Sequence, residues 1–182
     1  MAGMSTPDDE IVPDGKDWTV VLQEGCGECG FAPDDPAVAA TGTGDWLRTT
    51  IPRWEAVLTR PSVELRERPD RWSDLEYSCH ARDVCRVFLS RLELMLTSDD
   101  ARFDDWDQDA AAVAGRYAEQ DPAIVAREYD EAARALADRF DTVQGDDWQR
   151  PGLRSNGARF TVETFALYLH HDIEHHLLDV AG

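Results

Sequence analysis

Residues 161–180 read TVETFALYLHHDIEHHLLDV, and this stretch predicts a long amphipathic helix. Thr161 is a typical N-cap residue, so the helix should begin directly after it. At about 100° per residue, one face of the helix carries mostly apolar side chains together with two histidines: Thr164, Leu167, Tyr168, His171, His175 and Leu178. A face of this kind is typical of a helix that packs in a bundle, so we expect it to point into the interior.

Three further stretches show helical periodicity. Ser73-Asp-Leu-Glu76 is a capping-box pattern, and it predicts a helix that continues to about residue 97. Asp121-Pro122 combines an N-cap with a proline at the first helical position, and predicts a helix that ends before residue 145. Residues 45–59 predict another helix, in which Pro52 should cause a kink or shift the start.

These helices predict an all-α fold, a four-helix bundle, because no strand pattern persists along the chain. The 182 residues suit one sizeable core. We divide the chain into a mostly irregular N-terminal extension with a Cys-x-x-Cys turn (1–44) and a metal-binding helical bundle (45–182). Within the extension, residues 1–18 are expected to be disordered, and residues 17–22 could form a short extended segment.

The composition is strongly acidic, with 18 basic against 37 acidic residues and a net charge of −19. Phosphate backbones and anionic lipid surfaces repel such a chain, so we expect neither a nucleic-acid partner nor a membrane partner. No signal peptide pattern precedes the bundle, and no apolar run is long enough to cross a bilayer. The sequence therefore predicts a cytoplasmic location.

The histidines are concentrated in two places. Four of the five stand within residues 170–176, and His80 lies alone on an apolar face of the second long helix. His171 and His175 are one helical turn apart, so their imidazoles can converge on one ion. If the second and last helices pack together, His80 supplies a third nitrogen. A histidine that hydrogen-bonds a carbonyl or carboxylate is the ordinary alternative for each residue alone, but a metal satisfies all three at once.

The sequence therefore predicts His80, His171 and His175 as ligands of a divalent ion, zinc or nickel by the preference of imidazole for late divalent metals. The other two histidines of the cluster, His170 and His176, lie on other faces and are expected to face solvent or the helix C-terminus. Glu174 is the candidate catalytic residue, because it lies beside the ligand face. It could act as a base, orient a ligand or be solvated.

The pair Cys26 and Cys29 lies outside the bundle, in the sequence CGECG at residues 26–30. Three interpretations remain open for it: an inert turn, a structural zinc site whose other ligands come from elsewhere in the chain or from a second copy, or a redox pair. One Cys-x-x-Cys alone does not distinguish them, because a closed structural zinc site needs four ligands.

Two segments, WSDLEYSCHARDV at residues 72–84 and HDIEHHLLDV at residues 171–180, resemble the DinB-like superfamily. This superfamily includes mycothiol-dependent maleylpyruvate isomerases and bacillithiol transferases. The resemblance implies a four-helix bundle in which one residue of the second helix and an i, i+4 pair of the last helix hold a divalent ion. Carried over to this chain, it implies His80, His171 and His175. Some members have glutamate at the position of His171.

Three protein ligands leave a coordination position open, which is typical of catalytic metal sites. The resemblance implies a metal-dependent S-transferase or isomerase that uses a low-molecular-weight thiol and an electrophilic substrate. A metal-dependent hydrolase is the alternative within enzymes, and a non-catalytic, metal-stabilised binding module is the alternative outside them. Trp46 and Trp54 add apolar surface beyond what one small bundle needs, which suggests a homodimer.

Overall fold

The computed structural model describes residues 16–68 and 70–182 and confirms the predicted helical bundle. Two short segments precede the bundle: a 3-10 turn, Trp18–Val20, and helix α1, Val21–Glu24. The four long helices are α2, Thr43–Leu58; α3, Asp74–Thr97; α5, Pro122–Phe140; and α6, Val162–Asp179. A short helix, α4 (Gln108–Ala114), lies between α3 and α5.

Three of the four long helices begin where the sequence places caps, whereas α2 begins at Thr43, two residues before its predicted start, after Gly42, which makes no side-chain cap. Ser73 and Glu76 form a reciprocal capping box at the start of α3, and Thr161 and Thr164 form one at the start of α6. At the start of α5, the side chain of Asp121 accepts hydrogen bonds from the backbone amides of the first turn. These bonds satisfy amides that have no partner inside a helix. Helix α2 continues through Pro52 without interruption.

The core lies between the four long helices. Helices α3 and α6 are antiparallel, since His80 contacts His176 near one end while Phe88 stacks on Phe165 further along. The largest fully buried side chains of the bundle include Trp54, Tyr129, Leu47, Leu92, Leu136, Leu169 and Ile173. Truncating one of these leucines to alanine should cost about 2–5 kcal/mol, because the site loses transfer energy and gains a cavity.

The structure also contains a small sheet, although no strand pattern persists in the sequence. Strands β1 (Ala101–Phe103), β2 (Pro151–Arg154) and β3 (Arg159–Thr161) form a sheet in the order β1-β2-β3. The β1–β2 pair is parallel and the β2–β3 pair is antiparallel. Each strand has three or four residues, too few for an alternating pattern to be recognised. The sheet connects the C-terminal end of α3 to the start of α6.

The N-terminal segment, residues 16–38, packs along the outside of α6. Val21 and Phe31 are buried there, against Leu167 and Tyr168 of α6. The predicted extended conformation of residues 17–22 is wrong, because Trp18–Val20 and α1 form helical turns instead. The predicted disorder of residues 1–18 lies mostly outside the described residues. Among the described residues, no helix is both long and apolar enough to span a membrane.

Candidate metal centres

Helix α6 presents two i, i+4 pairs of ligand-type side chains to two different neighbours. His171 and His175 face the N-terminal segment, whereas Asp172 and His176 face α3. The two pairs differ by one residue, which is a rotation of about 100° around the helix axis. The side chains of α6 therefore take part in two separate groups of potential metal ligands.

The first group, which we call the three-residue centre, consists of His80, Asp172 and His176. One ligand atom from each lies within 4.8 Å of the others. The Nε2 of His80 is 3.5 Å from Oδ1 of Asp172, and the Nε2 of His176 is 3.8 Å from the same oxygen. Ligands at about 2.0–2.2 Å from a tetrahedral ion are about 3.4 Å apart, so these separations suit a shared metal.

His80 is held in place by aromatic rings. Its imidazole stacks on Trp106, with ring centroids 5.3 Å apart and planes 8° from parallel, and it also contacts Trp72. The side chain is 1% exposed, and neither ring nitrogen has a hydrogen-bond partner. Burial lowers the pKa of His80, although Asp172 opposes this shift. The imidazole is therefore neutral at physiological pH, the form that binds a metal.

A chain of polar contacts orients the second imidazole. The Nδ1 of His176 lies 3.0 Å from Oδ2 of Asp179, and Nη2 of Arg71 donates to the other Asp179 oxygen at 2.5 Å. Burial opposes ionisation of Asp179, but His176 and Arg71 hold the pKa of this carboxyl below its ordinary value. An ionised Asp179 fixes the proton on Nδ1 of His176, which turns the lone pair of Nε2 toward Asp172. Metal-binding histidines commonly have such a carboxylate partner.

Asp172 and His176 of the three-residue centre line a cleft of about 490 Å³, which His171 and His175 also line, whereas His80 is not among the lining residues. Trp72 and Tyr77 give the cleft aromatic surface, and Lys16, Trp18 and Glu28 of the N-terminal segment also line it. Five carboxylates and two cations line the cleft: Glu28, Asp70, Asp109, Asp172 and Asp179, with Lys16 and Arg71. A divalent ion would bring this excess of three negative charges close to neutrality.

The second group, which we call the four-residue centre, consists of Cys26, Cys29, His171 and His175. One ligand atom from each lies within 4.8 Å of the others. The Sγ of Cys26 is 3.6 Å from Nδ1 of His175, and the two imidazoles have centroids 5.1 Å apart. Neither cysteine is in a disulfide. Burial lowers the pKa of His171 to about 4, so this imidazole is also neutral.

The ligands proposed from the sequence are divided between these two centres. His171 and His175 are neighbours, as their spacing predicts, but His80 meets Asp172 and His176 instead. Of the two i, i+4 pairs, only His171 and His175 were predicted as ligands. The signal for the second pair was present, because Asp172 and His176 have the same spacing as His171 and His175.

The candidate catalytic residue Glu174 lies on another side of α6, about 160° from the Asp172–His176 pair. Its carboxylate accepts hydrogen bonds from Nη1 of Arg53 at 2.8 Å and from Nε1 of Trp46 at 2.9 Å. These contacts connect α6 to α2. Glu174 is not among the residues that line the cleft.

The expectation that the other two histidines face solvent or the helix C-terminus is wrong for His170, whereas His176 does lie in the last turn of α6. His170 is 4% exposed, stacks on Trp46 with centroids 3.6 Å apart, and contacts Thr43 through Nε2. His176 is largely buried and belongs to the three-residue centre. Helix α6 is covered on several sides, by α2, α3 and the N-terminal segment, so faces that look peripheral on a helical wheel are packed in the protein.

Buried polar atoms without partners favour metal binding at both centres. Among the described residues, five buried side-chain nitrogen or oxygen atoms have no hydrogen-bond partner. Four of the five belong to His80 (both nitrogens), His171 (Nε2) and Asp172 (Oδ1). An unpaired buried polar atom costs about 1–3 kcal/mol, so such a concentration at two ligand groups calls for a bound partner. The residues present therefore fit a divalent ion.

Comparisons with known proteins agree with this fold. The sequence profile of the DinB superfamily matches residues 47–180, so the chain belongs to the DinB superfamily. The fold is similar to that of YfiT from Bacillus subtilis, which is described as a probable metal-dependent hydrolase with an unusual four-helix bundle topology. The TM-score is 0.62 at 17% identity, over 76% of this chain and 85% of that one. No curated protein matches the chain significantly in sequence.

Proposed function

We propose that the chain is a metal-dependent enzyme whose divalent ion is held by His80, Asp172 and His176 at the inner end of the cleft. One observation carries this proposal: the buried nitrogens of His80 and the buried Oδ1 of Asp172 make no hydrogen bond, His80 Nε2 and Asp172 Oδ1 being 3.5 Å apart, and Asp172 and His176 line a cleft large enough for a substrate. This set of ligands combines His80 of α3 with Asp172 and His176, an i, i+4 pair of α6.

A divalent ion at this centre would supply Lewis-acid chemistry, lowering the pKa of a water or thiol and polarising an electrophile. The protein's own residues set its surroundings. Asp179 and Arg71 orient His176, and Trp106 fixes the ring of His80. Trp72 and Tyr77 offer an apolar surface to a substrate. Zinc or nickel is the expected ion, since imidazole and carboxylate together suit late divalent metals.

Hydrolysis is the reaction that the cleft favours. Its carboxylates outnumber its cations, so an uncharged or positively charged substrate is accepted more easily than an anionic one. Water as the nucleophile adds no charge to this environment. YfiT, which shares the fold, is described as a probable hydrolase, and this agrees with the proposal.

Thiol transfer to an electrophile is the second candidate. Lys16 and Arg71 lie on the cleft wall, where they could contact the carboxylates of a low-molecular-weight thiol. The open position that serves water in hydrolysis would serve the thiol sulfur. The two reactions share the ion and the ligands and differ in the nucleophile.

Metal analysis and activity measurements on the untagged protein test the proposal. His80→Gln and His176→Gln should each remove about one equivalent of bound metal and abolish turnover. The wild type should hydrolyse activated esters or amides such as nitrophenyl acetate. Conjugation of glutathione or cysteine to chlorodinitrobenzene at a higher kcat/KM would favour the thiol transferase instead.

His170→Gln is the matched control, because His170 is a buried histidine of the same helix in neither centre. It should keep both the metal and the activity. Asp179→Asn should weaken metal binding about 10–100-fold, because Asp179 orients His176. Full metal content in the His80→Gln, His176→Gln double variant would contradict the proposed centre.

The homodimer predicted from the sequence lacks its original support. Trp54 is fully buried inside the chain, and Trp46 donates a hydrogen bond to Glu174 and stacks on His170. Neither tryptophan therefore needs a second copy to cover it. Light scattering over a wide concentration range determines the assembly state directly.

A further inference from the structure

Residues 26–31 form a tight turn that places two sulfurs side by side. The backbone amide of Cys26 donates to the carbonyl of Phe31 at 2.8 Å, and the amide of Gly30 donates to the carbonyl of Cys26 at 2.9 Å. Gly30 has a φ of 77°, a conformation that glycine adopts without strain. This turn brings the sulfurs of Cys26 and Cys29 within 4.8 Å of each other.

The turn lies against α6 at the position of His171 and His175. A zinc ion with a sulfur at about 2.3 Å and a nitrogen at about 2.0–2.1 Å in tetrahedral geometry separates the two atoms by about 3.6 Å. The Sγ of Cys26 and the Nδ1 of His175 are 3.6 Å apart. His171 is 3% exposed, and its Nε2 is buried without a hydrogen-bond partner.

From this geometry we propose a second metal site, in which Cys26, Cys29, His171 and His175 bind one zinc ion with all four positions filled by the protein. Two cysteine sulfurs and two imidazoles in tetrahedral arrangement are a common ligand set of structural zinc sites. The site has no open position, unlike the three-residue centre. Zinc binding at this site does not depend on the enzymatic activity proposed above.

The alternative functions of the cysteine pair fit less well. A redox Cys-x-x-Cys is typical of a βαβ unit, whereas this pair lies in a turn between the short helix α1 and the bundle. An inert turn would leave Nε2 of His171 buried without a partner. Binding of zinc removes the thiol protons and satisfies the imidazole in one step.

The zinc site also has a consequence for the cleft. It fastens the N-terminal segment to α6, and this segment contributes Lys16, Trp18 and Glu28 to the cleft wall. Glu28 stands between the two cysteines, and its carboxylate lies 3.7 Å from Nε2 of His175. Two of the zinc ligands, His171 and His175, line the same cleft, so the ion would stabilise one wall of the proposed active site.

Cobalt substitution of the full, untagged chain tests this site. Cobalt bound by cysteine gives a thiolate-to-metal charge-transfer band in the near ultraviolet, which histidine and carboxylate ligands do not produce. The wild type should bind two equivalents of metal and show this band. The double variant Cys26→Ala, Cys29→Ala should lose the band and one equivalent, whereas His80→Gln should lose the other equivalent and keep the band.

Cys79→Ala and Cys85→Ala are the matched controls, since both are buried cysteines outside the two centres. Each should keep the band. Absence of the band in the wild type, or its persistence in the Cys26→Ala, Cys29→Ala variant, would overturn the proposal. So would loss of both ions in His80→Gln, which would mean a single coupled centre.

A measurement on the wild type keeps the test decisive if the double variant does not fold. In the zinc-loaded protein Cys26 and Cys29 should resist alkylation, and a chelator should expose both to the reagent, as read by peptide mass mapping. Equal alkylation with and without the chelator would refute the site. A disulfide between them in the freshly purified protein would also refute it.

Discussion

Glu76 stabilises the start of α3 through two separate interactions, and different replacements should remove one or both of them. The Glu76 carboxylate accepts a hydrogen bond from the amide of Ser73 at 2.8 Å, and it accepts two from Arg66, at 2.8 and 2.6 Å. The glutamate is 3% exposed and Ser73 is 2% exposed. Glu76→Gln keeps an acceptor for Ser73 but loses the charge that pairs with Arg66. Glu76→Ala loses both interactions.

The structure sets the size of each effect. A charge-assisted hydrogen bond contributes about 1.5–3 kcal/mol, but Arg66 is 26% exposed and regains water when its partner is removed. We therefore expect Glu76→Gln to lower the free energy of unfolding by about 1–2 kcal/mol. The alanine variant also leaves the buried amide of Ser73 without a partner, for a total of about 3 kcal/mol. For a protein of this size, each kcal/mol lowers the unfolding temperature by about 2–4 °C, so the alanine variant should unfold about 6–12 °C below the wild type.

The effect of Glu76 should depend on pH in a defined direction. Burial opposes ionisation of Glu76, but Arg66 and Ser73 outweigh it and lower the pKa of this carboxyl. A group whose pKa is lower in the folded state contributes stability above its unfolded pKa, about 4.3, and loses it as the pH falls through the folded pKa. The difference between wild type and Glu76→Gln should therefore be full at pH 7 and shrink below about pH 4.

Urea and thermal unfolding of the three proteins between pH 7 and pH 3 measure these quantities. Glu119→Gln is the control, because it removes an exposed carboxylate that pairs with Arg116 in solvent, and its unfolding temperature should match the wild type. If Glu76→Ala is no less stable than Glu76→Gln, the capping bond to Ser73 contributes nothing. If both match the wild type, the reasoning about the buried carboxylate fails.

Three other changes test the packing and the metal. Gly44→Ala should lower the free energy of unfolding by about 1–3 kcal/mol, because the added Cβ would lie 2.0 Å from Oδ1 of Asp141 and 3.0 Å from the carbonyl of Ala137. Urea unfolding measures this change. A variant as stable as the wild type would contradict the close approach of α2 and α5. Tyr129→Phe should cost about 1 kcal/mol in the same assay, because it removes the hydroxyl paired with Thr50 at 2.7 Å in the core. A chelator at pH 8 should lower the unfolding temperature, and added zinc should restore it; an unchanged temperature after verified metal removal would show that the ions are not coupled to the fold.

The sequence was sufficient to predict the four long helices and the starts of three of them. In the structure, α3, α6 and α5 begin at the predicted caps Ser73, Thr161 and Asp121. These starts are predictable because a cap depends only on residues within one turn. The short strands could not be predicted in this way. Each is too short to show periodicity, and β1 pairs with residues of β2 that are about fifty positions away.

The sequence also indicated a metal-binding α6, since it places ligand-type residues one turn apart. It did not determine which of the two pairs faces α3, because that depends on a rotation of about 100° that the packing of α6 against its neighbours decides. It did not determine the partner of the cysteines either. Cys26 and His175 are 149 residues apart, and only the path of the N-terminal segment along α6 brings them within 3.6 Å. Local sequence therefore determined the ligand pairs, and tertiary packing decided which ligands meet.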